Sequence, residues 1–174
     1  MLKYEIEMNE KQKRTKNHIR LVQDKIFYGR YYPASRIAQK TTATAKKAVN
    51  LIYLYASFDG ISCEDFCAQT NISPSNYRRL HAIVKKYMGI DDGAGNSVED
   101  TPANRRYFTL LCLYEKLRDC GVDMRAFCGE NGISRATFFR YLNIIENYLC
   151  NLSKEYYLIA LDEDGRYFIV DPSD

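Results

Sequence analysis

The feature that most constrains this chain is an internal repeat. Residues 66–87, FCAQTNISPSNYRRLHAIVKKY, lie over residues 127–148, FCGENGISRATFFRYLNIIENY, at a constant offset of 61 without a gap. Identities fall at Phe66/Phe127, Cys67/Cys128, Ile72/Ile133, Ser73/Ser134, Arg79/Arg140, Ile83/Ile144 and Tyr87/Tyr148. Further upstream, Gly60 meets Gly121 and Tyr53 meets Tyr114. Val49, Ile52, Tyr53 and Ala56 coincide with Leu110, Leu113, Tyr114 and Leu117, each set having the i, i+3, i+4, i+7 spacing of one helix face. The chain therefore holds one supersecondary unit twice.

Each unit reads as three helices. The first ends near Gly60 or Gly121, residues suited to the left-handed conformation beyond a helix C-terminus. A short second helix runs through Phe66 or Phe127. Asn71 and Gly132 then hold equivalent places, and both residue types tolerate positive φ at low cost. Ser73 and Ser134 follow, with hydroxyls able to cap the first free amides of a third helix. Pro74 stands at the first helical position of the earlier unit, where its missing N–H costs nothing. Helix, tight turn and capped helix make a helix-turn-helix.

Within the second unit, ISRATFFRYLNII resembles the recognition-helix segment of bacterial winged helix-turn-helix regulators of the DeoR type, in which Ser-Arg-x-Thr-apolar-x-Arg-x-Leu recurs. Ser134, Arg135, Thr137, Phe138, Arg140 and Leu142 hold those places. The resemblance covers roughly residues 105–172, and more weakly 45–87, where only Ser73 and Arg79 keep the polar pattern. It implies a DNA-binding fold.

The C-terminal segments EYYLIAL and RYFIV are rich in aromatic and β-branched residues, and the Asp164-Gly165 pair between them is a hairpin-turn signal. A terminal hairpin after the third helix is a wing. Asp162, Glu163 and Asp164 would be repelled by phosphate, so this wing is expected to pack or pair, offering an acidic surface to a protein partner rather than gripping DNA. The expected architecture is mainly α, with two tandem three-helix helix-turn-helix units, the second winged. Residues 1–40 form a basic N-terminal helical arm, 41–87 the first unit, 88–103 a linker and 104–174 the second unit. GIDDGAGNSVEDTPA, in the linker, is acidic and without periodicity.

Charge is divided unevenly. Residues 1–50 carry twelve Lys or Arg against four acids, a net of +8, and the remainder is left with −5. The arm interleaves aromatics with arginines in FYGRYYPASRIAQKTT, and residues 11–27 can form a helix with Ile19, Val22 and Ile26 as its stripe. It suits either a phosphate-following arm or a helix that pairs two copies of the chain.

Helical geometry selects the outward residues of the third helices. With Tyr77, Leu80 and Val84 inward, Pro74, Ser75, Arg78, Arg79 and Ala82 face out, and Arg135, Ala136, Phe139, Arg140 and Asn143 are their counterparts. Arginine bonds guanine bidentately, asparagine does the same to adenine, and hydroxyls suit phosphate oxygens. The DNA-contacting set is accordingly Ser73, Ser75, Asn76, Arg78, Arg79, Lys85, Ser134, Arg135, Thr137, Phe139, Arg140 and Asn143. Residues 73–87 carry Arg78, Arg79, Lys85 and Lys86 with no acid, whereas Glu146 is expected to offset Arg135 and Arg140 in the second unit. Phe139 is unusual on an outward face and suits a thymine methyl or a protein contact equally.

Enzymatic classes find little support. There is no nucleotide-binding glycine loop, no Ser-His-Asp arrangement and no metal-ligand cluster, and His18 and His81 are the only near-neutral acid–base groups. No cofactor or metal is expected. The opening residues lack a signal-peptide core and no run is long enough to span a membrane, so a cytoplasmic place is expected. The six cysteines are then reduced thiols. Cys63 and Cys67 share a helix face, and core packing is preferred there over metal or redox sensing. The expected function is sequence-specific binding of double-stranded DNA in transcriptional regulation. A protein-interaction winged helix, or a replication or recombination accessory factor, is the alternative.

Overall fold

The computed structural model describes residues 43–90, 98–153 and 157–170. The expected N-terminal arm and residues 91–97 of the expected linker lie outside them. The elements run α1 (Ala43–Ala56), α2 (Cys63–Thr70), α3 (Pro74–Tyr87), α4 (Pro102–Asp119), β1 (Val122–Asp123), α5 (Met124–Asn131), α6 (Arg135–Asn151), β2 (Leu158–Leu161) and β3 (Arg166–Val170). Under the offset of the repeat, α2 and α5 coincide from end to end and α3 and α6 begin at equivalent residues. The fold is mainly helical, with a small antiparallel sheet of order β1–β3–β2 completing the winged second unit.

The turns are built as their residue types dictate. Asn71 (φ 56°) and Gly132 (φ 61°) are both left-handed and end α2 and α5. Ser73 Oγ accepts the Asn76 N–H at 3.2 Å and Ser134 Oγ the Thr137 N–H at 3.1 Å, capping α3 and α6. Ser62 and Asp123, another equivalent pair, cap α2 and α5 in the same way. One expectation fails: beyond α1 the left-handed residue is Asp59 (φ 61°), not Gly60. Gly60 instead donates its N–H to the Ser57 carbonyl at 2.8 Å, closing a turn of its own, and aspartate is among the few residues that tolerate the left-handed well.

The described residues cluster into two compact units, one from 43 to 115 and the other from 116 to 170, the division falling inside α4. In the first, α1 is buried on every side from Ala48 to Leu54, a wider face than the single stripe expected from the periodicity. Tyr53 stacks on Phe66 with centroids 5.1 Å apart and donates to Gln69 Oε1 at 2.5 Å. Phe66 also meets Tyr77 at 5.5 Å, so one aromatic cluster ties α1, α2 and α3 together. The leading part of α4 joins this unit: Tyr87 stacks on Phe108 and its hydroxyl donates to Glu115 Oε2 at 2.5 Å.

In the second unit Phe127, Phe138, Tyr141, Ile145, Leu149, Ile159, Ala160 and Tyr167 are buried. Strand β1, two residues long and without a propensity signal, pairs Val122 with Tyr167 and Asp123 with Arg166. Gly121 makes this closure sterically feasible. Its φ is +78°, and a Cβ there would lie 2.3 Å from the Phe168 ring. The β2–β3 turn is closed by Gly165 (φ 78°) and by Asp162, whose carboxylate accepts the Arg166 N–H at 2.7 Å.

Candidate nucleic-acid interface

Both third helices follow a left-handed turn and a serine cap, which aims their first turns outward. In α3 the expected inward residues Leu80 and Val84 are buried and Tyr77 is half-buried; Ile83, outside that set, is buried too, and Ala82, expected to face out, is half-buried. Ser73, Pro74, Ser75, Arg78, Arg79 and Lys86 are exposed, and Asn76 and Lys85 are half-buried. Lys86 Nζ donates to the Val98 carbonyl at 2.9 Å, so it is partly engaged. Arg105 pairs with Asp100 and Lys116 with Glu130, whereas Arg78 and Arg79 have no carboxylate partner among the described residues. The face is a cationic strip on a rigid, capped helix.

In α6, Phe138, Tyr141, Leu142 and Ile145 are buried, while Ser134, Arg135, Ala136 and Arg140 are exposed. Thr137 and Asn143 are half-buried. Ser134 Oγ also donates to Thr137 Oγ1 at 3.0 Å, so the two hydroxyls satisfy each other at the helix start. Two expectations change here. Phe139 is not a bare outward ring: it is half-buried, edge-on to Tyr167 of β3 at 6.3 Å and to Phe138 at 5.6 Å. Glu146 does not offset Arg135 and Arg140 at the surface. It is buried, with 8% of its surface exposed and Oε2 lacking a hydrogen-bond partner. Burial pushes its carboxyl up to about 8, which leaves it mostly protonated at neutral pH.

Sequence reasoning missed Tyr167 and the burial of Glu146. The signal for the first was present, since an aromatic at an otherwise polar helix position needs something to cover it. The second has no local signal, since in the sequence Glu146 reads only as a charge that offsets Arg135 and Arg140.

The wing presents Glu163 and Asp164 to solvent, while Arg166 reaches back to β1 and donates from Nη2 to the Gly121 carbonyl at 3.3 Å. All six cysteines are free thiols. Cys63 and Cys67 are half-buried in α2, and the Cys67 thiol is pushed up, first by desolvation and then by Cys63. Among the described residues no three His, Cys, Asp or Glu side chains converge as metal ligands would, and no helix is long and apolar enough to cross a membrane. No protein-family model, curated protein or solved structure matches the chain.

Proposed function

We propose that the chain binds double-stranded DNA with sequence preference and acts as a transcriptional regulator, as the resemblance to DeoR-type regulators implies. The observation that carries this reading is the strip on α3. Arg78 and Arg79 are exposed on a serine-capped helix behind a left-handed turn, in a stretch from Ser73 to Tyr87 that holds four cations and no acid. A capped helix fixes the spacing of the backbone positions that carry the exposed arginines, and fixed spacing is what base readout requires. In α6, Arg140 occupies the place of Arg79, and Arg135 adds a second cation at the helix start.

Binding of this kind weakens steeply with salt, because each phosphate contact releases counterions. The test is titration of genomic duplex fragments at several ionic strengths with the full chain and two paired variants. Arg78→Ala with Arg79→Ala is expected to abolish binding more completely than Arg135→Ala with Arg140→Ala, and removing one bidentate arginine–guanine pair costs roughly 1–3 kcal/mol. Salt-independent affinity, or no affinity for any fragment, refutes the proposal. The exposed Glu163 and Asp164, with the Arg166 guanidinium engaged at Gly121, favour a second reading in which the wing meets a basic protein surface.

A further inference from the structure

The second recognition helix carries a feature that the first lacks. Arg135 is the first residue of α6 and Phe139 stands one turn later on the same face. The Arg135 guanidinium lies 5.5 Å from the centroid of the Phe139 ring. That ring is held in turn by Tyr167, which is buried, contacts Phe138 at 5.6 Å and Phe139 at 6.3 Å, and is fixed in the sheet by pairing with both Val122 and Leu161. A continuous path of packed rings therefore runs from the centre of the wing to an exposed guanidinium. In the first unit the equivalent places are Pro74 and Arg78, so neither the cation nor its platform exists there.

We propose that Phe139 and Tyr167 are positioning residues for Arg135, and that through them the wing sets the base preference of the second unit without touching DNA. The inference rests on the DNA-binding reading. Stacking occupies the face of a guanidinium and leaves its N–H edge available, and that edge is what pairs bidentately with O6 and N7 of guanine. A free arginine must lose rotamer freedom to adopt that pose, whereas one seated on a fixed ring has already lost much of it. The acidic tip of the wing is consistent with this division of labour, since the central strand holds the reader while the tip stays clear of phosphate.

The test uses the full chain and a pool of duplexes with a randomised central segment, with the enriched site sequenced and its affinity measured. The wild-type chain is expected to enrich a site with a guanine that Arg135→Ala no longer selects. Phe139→Leu keeps an apolar side chain against Tyr167 but removes the π face. It should relax selection at that same guanine and weaken binding about two- to fivefold. Phe139→Tyr should restore both, and Phe139→Leu added to Arg135→Ala should cost nothing further. Unchanged selection by Phe139→Leu, or additive losses in the double variant, overturns the positioning role alone. A wild-type chain that enriches no duplex overturns the DNA-binding reading and this inference with it. Arg135 is exposed, so its variant keeps the test decisive even where a Phe139 variant folds poorly.

Discussion

Alanine at Gly121 would place a methyl carbon 2.3 Å from Cε1 and Cζ of Phe168 and 2.9 Å from Cδ1, on a backbone with φ +78°. Two costs follow. Holding an L-residue in the left-handed well costs about 1–2 kcal/mol. The Phe168 ring must also swing away, and an off-rotamer side chain costs roughly 0.5–1.5 kcal/mol, with a further penalty wherever β1 parts from β3. Gly132 supplies the control, because it too is left-handed (φ +61°) but a Cβ there meets nothing within 4 Å. Gly132→Ala therefore bears the backbone cost without the steric one, and the entropy lost by the unfolded chain is common to both variants. Urea unfolding should show Gly121→Ala to be less stable than Gly132→Ala by about 0.5–1.5 kcal/mol or more, with Phe168→Leu narrowing the gap. Equal destabilisation by the two alanines would refute the argument that close approach of Phe168, rather than backbone conformation alone, requires glycine at 121.

The remaining predictions concern stability. The folded chain retains the Glu146 proton up to a pH of about 8, against an ordinary value of 4.5. The unfolded chain loses that proton first, so the contribution is full below about 4.5, drains away as pH rises to about 8 and is flat above. Glu146→Gln should remove this slope, worth on the order of several kcal/mol across the window, in thermal melts at stepped pH; parallel curves for the two proteins would contradict the assignment. Ser73→Ala and Ser134→Ala should each lose about 1 kcal/mol in urea unfolding. The loss should be larger at Ser134, whose hydroxyl also bonds Thr137 Oγ1, and the order is checked with Thr137→Val.

The amino-acid sequence by itself determined the repeat and most of the caps and turns local to it. The offset located α2 with α5 and the starts of α3 and α6, because helix periodicity, serine caps and left-handed Asn71 and Gly132 all act within a few residues. Tyr77, Leu80 and Val84 as the inward residues of α3 were legible for the same reason. Asp59 in place of Gly60 was not, since two neighbouring residues could each close the turn and the choice fell to the hydrogen bond from Gly60 to Ser57. Three features belong to the tertiary structure alone: the closure of β1 on β3, the edge contact of Tyr167 with Phe139, and the burial of Glu146. Each depends on which faces meet across long stretches of chain. A periodic pattern states that a helix has an inward side, but not what covers the opposite one. That is why a glutamate read as an offset to two arginines ends up buried with its carboxyl raised to about 8, and a phenylalanine read as outward lies against an arginine and a tyrosine.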